Sequence, residues 1–245
     1  MRFGKIILFG LIVVLMVCII PVAADSIKSE GNSDNGNKPT IFIEYGTGKD
    51  VGLVKVTHIH YAKSVDKGKP AKTTTCYKLA GWKWSGPIAY SVDPIYPPEY
   101  PDLVEAISSA TEEWDRHTPA SLFITHQEGT FPWGVRDYKN SVSYGDYPTD
   151  GVIAVTSTWY SRATKTAVES DILFDTDFNW GTGDPLSMDI QNIATHEIGH
   201  TLGLSDIYTS SCNAVTMYGY SWEGDFEKSS LELPDITGLQ KLYGA

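Results

Sequence analysis

The sequence is short of cysteine, of basic side chains and of long apolar runs, and each shortage excludes something. Only three of its 245 residues are cysteines. Cys18 lies in the apolar start, so Cys76 and Cys212 form an isolated pair, which an oxidising compartment favours joining. Two free thiols, or a Cys76 thiolate that blocks a metal, are the other readings. Lysine and arginine total 19 against 30 acidic residues. That balance argues against nucleic acid as a partner, because phosphates need a basic surface. One apolar run, Ile6 to Ile20, follows Arg2 and Lys5 and leads into the small residues Val22-Ala23-Ala24. Residues 1–24 therefore read as a secretion signal. An uncleaved anchor is the alternative, since Ile6 to Ala24 is nearly long enough to span a bilayer. The remainder is expected outside the cytoplasm, secreted or tethered at the outer face of the membrane. Without the signal, 17 basic and 30 acidic residues leave a net charge of −13. Such acidity serves solubility or supplies oxygen ligands for calcium.

A length of 245 residues and 42% hydrophobic content suit one large domain or two small ones with a sizeable core. Residues 25–39 are rich in Ser, Asn and Gly and hold too little apolar surface to pack. Strands are expected over Thr40 to Tyr45 and Val51 to Tyr61, ahead of a Lys-rich stretch containing Pro70. Residues 25–75 thus read as a pro-segment or N-terminal extension. His58 and His60 lie there at strand spacing and share a face. A polar strand face is the commoner meaning of such a pair, and metal binding the rarer. From Trp82 onward strands and helices alternate, with strands expected at Pro87 to Val92, Leu122 to His126, Val152 to Thr158 and Ile172 to Asp175. Asp102 opens a helix whose Leu103, Ile107, Ala110 and Trp114 share a core face until Thr118-Pro119 stops it. No internal repeat is evident.

The most informative segment is HEIGHTLGLSD, residues 196 to 206. Asp184-Pro185 and Ser187 are expected to introduce a helix that runs through Ile190, Ile193, Ala194 and Ile198 to Leu202. His196 and His200, four residues apart, project from the same side of it and can reach one tetrahedral ion. Glu197 then points toward the open coordination position, where a carboxylate can take a proton from water. Asp206 lies about 240° further round a continuing helix, so it can return to the metal only if the helix ends first. Gly203 supplies that ending, because glycine adopts a positive φ at no steric cost. HExxH should arise by chance about once in a hundred chains of this composition, and the added Gly and Asp make coincidence rarer.

HExxHxxGxxD followed by the methionine of Val215-Thr216-Met217-Tyr218 resembles the metzincins, with aspartate in place of the usual third histidine. Met217 would then be the apolar floor beneath the zinc rather than a ligand. KWSGPIAYSVDP, the helix opened by Asp102 and the terminal LPDITGLQKLYG are similar to matching segments of matrixins, so the resemblance covers about residues 76–245, the expected catalytic domain. It implies an α+β fold: a twisted mixed sheet of about five strands, three helices, and a cleft between an upper N-terminal and a smaller C-terminal subdomain. It also implies one zinc, held by His196, His200 and Asp206, and a pocket lined by Tyr218 and the loop from Gly219 to Ser230, made apolar by Trp222 and Phe226. Asp171, Asp175 and Asp177 in DILFDTD are similar to an acidic strand and loop that holds calcium. Two family features are missing. Cys76 in TTTCYKL lacks the neighbours of the matrixin latency cysteine, and Tyr144-Gly145-Asp146 and Asp171-Ile172-Leu173-Phe174 stand where histidines of a second, structural zinc are expected.

The function expected from these residues is zinc-assisted hydrolysis of internal peptide bonds by a monomer, with Glu197 as general base and an extended peptide paired along the edge strand Val152 to Thr158. Two rival readings are a zinc-binding interaction module without catalysis and a self-processing surface protein. An aspartate ligand places negative charge on the ion that a neutral histidine would not, so water should be acidified less and activity displaced to higher pH. Asp206→His should accordingly move the acidic limb of the activity profile down in pH, and a limb that stays in place would refute the charge argument.

Overall fold

The computed structural model describes residues 40–63, 75–96, 100–124 and 126–245. The expected signal and the polar run after it lie outside these residues. Five strands form the body of the sheet: β3 (Ser91–Val92), β4 (Gln127–Glu128), β5 (Ser141–Gly145), β6 (Val152–Ser161) and β7 (Ala167–Asp175). Two more come from the N-terminal extension, β1 (Ile41–Tyr45) and β2 (Leu53–Ala62). The spatial order is β1-β2-β6-β7-β5-β3-β4, with the short β10 (Tyr220–Ser221) also paired to β2. Strands β4, β3, β5 and β7 run parallel to one another, whereas β6 is antiparallel to β7 and β2 is antiparallel to β6. The sheet is thus wider than the expected five strands, because the extension pairs with it. For the same reason β6 is not an edge: it lies between β2 and β7.

The helices cover one region of this sheet. In α1 (Leu103–Asp115) Asp102 caps the amides of Val104 at 2.9 Å and Glu105 at 3.3 Å, which leaves Leu103, Ala106, Ile107, Ala110 and Trp114 on the buried face. Helix α2 (Ile190–Leu202) is nearly all buried, packed between α1 and strands β6 and β7. Trp114 fastens the pair by donating its indole N–H to the Thr195 carbonyl at 2.9 Å. The C-terminal α3 (Leu233–Tyr243) returns its Tyr243 hydroxyl to the Leu202 carbonyl at 2.8 Å. No helix among the described residues is long and apolar enough to cross a membrane.

Three expected boundaries shift, each for a local reason. The strand expected at Pro87 to Val92 shortens to Ser91–Val92, and the described residues of Leu122 to His126 form no strand. The backbones of those segments meet in a single bridge at Ile88, whose amide donates to the Leu122 carbonyl and whose carbonyl accepts from Ile124. Helix α2 opens later than Ser187, because Met188 and Asp189 are first held as β9 against β8 (Trp180–Gly181). Asp189 is the cap, accepting the Asn192 amide at 2.8 Å.

Cys76 and Cys212 are joined by a disulfide with Cα atoms 5.5 Å apart, which removes the thiolate reading of Cys76. The bridge closes a separation of 136 residues and ties the start of the C-terminal body to the loop that carries Met217. Replacing both cysteines by serine should lower the unfolding free energy by about 2–5 kcal/mol in a urea titration. An unchanged midpoint would mean that the unfolded chain is not constrained by this loop.

Candidate active site

Helix α2 presents His196, Glu197 and His200 toward β6 and ends where Gly203 takes φ +98°. The close fit there leaves room for glycine alone, since a Cβ on Gly203 would lie 2.4 Å from the Trp82 carbonyl oxygen. The reversal returns the Leu204 amide to the Gly199 carbonyl at 3.0 Å, and two residues later Asp206 faces the helix again. Its Oδ1 lies 3.2 Å from His196 Nε2 and 3.3 Å from His200 Nε2, with all three side chains buried. Both Nε2 atoms and both Asp206 oxygens lack a hydrogen-bond partner. Four buried polar atoms that converge without satisfying one another are what a donor set for a cation looks like.

The other ring nitrogens are engaged. His196 Nδ1 lies 2.8 Å from the Thr216 carbonyl and His200 Nδ1 lies 3.0 Å from the Leu204 carbonyl. A carbonyl can only accept, so both Nδ1 atoms carry the proton and both Nε2 lone pairs face Asp206. Burial lowers the His196 pKa to about 4, which keeps that ring neutral. For His200 burial acts the same way, but the Asp206 and Glu197 carboxylates outweigh it and its pKa is raised. Burial would raise Asp206, yet the two histidines beside it hold it well below the usual carboxylate range. Glu197 is raised, chiefly by burial. Its Oε2 accepts the Thr156 hydroxyl of β6 at 2.5 Å.

Met217 is fully buried under α2, where a Cβ on Gly199 would meet its sulfur at 2.3 Å. The loop carrying it is held from below by Asp235 of α3, whose Oδ2 accepts the Thr216 amide at 2.9 Å and whose Oδ1 accepts the Met217 amide at 3.2 Å. Asp235 also closes a capping box with Glu232. It thereby links α3 to Thr216 and, through the Thr216 carbonyl, to His196. The expected pocket loop is less apolar than its aromatics suggested. Lys228 is buried in an ion pair with Asp225, its Nζ 4.4 Å from the Trp222 ring centroid and 5.8 Å from that of Tyr218, while Phe226 is exposed.

Two expectations need correction. Asp171 does not join Asp175 and Asp177: four residues along a strand separate Asp171 from Asp175 by about 13 Å, and both Asp171 oxygens are taken. Oδ1 accepts from the Ser141 amide and hydroxyl, and Oδ2 accepts from the Gly134 amide. The group that does assemble is Asp146, Asp175 and Asp177, with carboxylate oxygens within 4.8 Å of one another and Asp175 Oδ2 buried without a partner. The second concerns His58 and His60, which are not a solvated strand face. Both are about 1% exposed and lie against α2, the His58 ring stacked on His200 at 4.1 Å and the His60 ring tilted over His196 at 4.0 Å. Their i, i+2 spacing was visible, but nothing local could show which element they would face. Asp235 and Thr156 went unread for the same reason.

This architecture, a histidine-bearing helix over a mixed sheet with a methionine turn below it, defines the chain as a metzincin-type fold. A family model described as Matrixin matches residues 82–244, more than half of the chain. The chain belongs to the matrixin family. Human matrilysin is 32% identical over 142 residues, covering 56% of this chain and 49% of that protein. Human stromelysin-3 is 30% identical over 140 residues, covering 57% and 27%, and human matrix metalloproteinase-16 is 30% identical over 183 residues, covering 69% and 28%. The chain therefore spans about half or less of the length of these curated relatives.

Asp235→Ala would leave three backbone amides without their acceptor, two of them fully within the core. It should destabilise the fold by about 2–5 kcal/mol and, by freeing Thr216, weaken zinc retention by about 10–100-fold. Denaturant titration and competition with a chelator measure the two effects, and zinc retention equal to the parent would show that His196 is positioned without this support.

Proposed function

We propose that the chain is a zinc-dependent endopeptidase, with His196, His200 and Asp206 as metal ligands and Glu197 as general base. The observation that carries this reading is the convergence of two oriented histidine lone pairs and a carboxylate, all buried and without hydrogen-bond partners, beside a second carboxylate on the same helix turn. A zinc ion held there would polarise the scissile carbonyl and acidify the attacking water. Thr156 fixes one oxygen of Glu197, so the other remains to take the water proton and pass it to the leaving amine. Burial raises the affinity of this carboxylate for a proton, which suits a group that must accept one and release it. The substrate would be a protein segment in extended conformation, paired to β6, which runs directly along Glu197. The Asp146, Asp175 and Asp177 group would hold calcium, a hard cation that takes carboxylate oxygens. The apolar start of the sequence supports export through a signal at residues 1–24 and a mature body outside the cell.

The test is zinc content together with casein hydrolysis, for the parent and for Glu197→Gln, each measured before and after cleavage of the chain between residues 64 and 74. After cleavage the parent should hold about one zinc and digest casein, whereas Glu197→Gln should keep the metal and lose activity by about 10²–10⁴-fold. Equal activity in the two proteins would remove Glu197 from the mechanism, and a zinc-loaded, cleaved parent that digests nothing would favour the interaction-module reading.

A further inference from the structure

Strand β2 occupies the position that a peptide would need in order to reach Glu197. It pairs antiparallel with β6 from Leu53↔Ser161 to Tyr61↔Val152, and this register sets His58 opposite Thr156 and His60 opposite Ala154. Thr156 is the residue that binds Glu197, so any strand added to this length of β6 crosses the candidate base. On its other side β2 is held by β1 as far as His58 and then, in parallel, by β10 at Tyr61↔Tyr220 and Ala62↔Ser221. The strand thus runs in a slot between β6 and the loop that follows Met217, and the slot floor is α2. His60 fills the space above the base: its Nδ1 lies 3.3 Å from Glu197 Oε1, the oxygen that Thr156 leaves open. His58 covers His200 in the same manner. Nδ1 of His58 and Nε2 of His60 are buried without partners. That cost is accepted at the one place where these rings lie over the metal-ligand candidates.

We propose that the β1–β2 hairpin is a built-in, removable inhibitor: it fills the peptide groove as an added strand, and His58 and His60 lie across His200, His196 and Glu197 in place of water and substrate. This inference rests on the peptidase reading of the α2 site. It differs from blockade by a cysteine thiolate, because Cys76 is committed to Cys212. The same disulfide sets where release must occur. Cys76 follows the hairpin in the chain, so a cut between residues 64 and 74 separates residues 40–63 from the body, whereas a cut after Cys76 would leave them tethered to Cys212 through the bridge.

The experiment places a recognition sequence for a site-specific protease between residues 64 and 74 of the full chain and compares the zinc-loaded protein uncut and cut. Groove occupancy is read by amide hydrogen exchange over Ala154 to Thr158 and by binding of a peptide hydroxamate, which needs both the metal and the slot. The uncut chain should protect these amides and bind the hydroxamate at least ~100-fold more weakly than the cut chain, since only the rare open state is competent. In the uncut chain, the double substitution His58→Ala and His60→Ala should strengthen hydroxamate binding about tenfold over the uncut parent, with the unfolding midpoint confirming a folded protein. The proposal is overturned if the uncut parent binds the hydroxamate as tightly as the cut one. It is also overturned if the hairpin stays on β6 after cutting and the probe remains excluded, which would make it a permanent strand. A cut chain that opens β6 and binds the hydroxamate but leaves casein intact would sink the peptidase reading and not this one.

Discussion

The reversal of the chain at Gly203 is the constraint on which the rest of the site depends. A helix that continued would carry Asp206 away from the histidines. One that ended with any side chain at 203 would press it into the Trp82 carbonyl, 2.4 Å from where its Cβ would stand. Because the backbone turns back there, Leu204 supplies the carbonyl that orients His200, and Asp206 arrives 3.2–3.3 Å from both Nε2 atoms. The orientation of one candidate ligand and the position of another thus follow from a single left-handed residue. Trp82 is itself among the most buried residues of the segment leading into the fold, so the turn is braced from outside the helix.

Holding this many polar groups away from water is costly, and the fold manages it by giving each one a neighbour that fixes its direction. His196 leans on Thr216, Thr216 on Asp235, and Asp235 on the first turn of α3. Glu197 leans on Thr156 of β6. The atoms left over are the ones that point at the shared centre, which is why their lack of partners reads as a donor set rather than a packing fault. Met217, pressed against Gly199 from below, contributes no polar atom and closes the floor to water.

Sheet edges explain the relation between the N-terminal extension and this centre. A strand with free amides beside a buried helix invites another strand, and the side of β6 that faces away from β7 is taken by β2. Strand β2 is covalently attached and so is present at high effective concentration, an advantage that ends once the connecting chain is cut. The loop beyond Met217 serves as the second wall of the same slot, and its buried Lys228–Asp225 pair makes that wall more polar than its aromatic residues imply.

Much of the site was legible in the sequence because its rules are local. The four-residue spacing of His196 and His200, the adjacency of Glu197 and the glycine before Asp206 all act within about two helical turns, where periodicity translates directly into direction. The cap at Asp102 and the apolar stripe of α1 are local in the same sense. The sequence alone therefore determined the class of fold, the helix that carries the chemistry and the residues that could converge on it. Only the tertiary structure decided that Asp235 supports Thr216, that Thr156 meets Glu197, that Asp146 rather than Asp171 joins Asp175 and Asp177, and that His58 and His60 face the centre instead of solvent. These contacts join residues from 19 (Thr216 and Asp235) to 142 (His58 and His200) positions apart across a sheet register or a helix packing, and no periodicity within a segment encodes which segment will lie beside it.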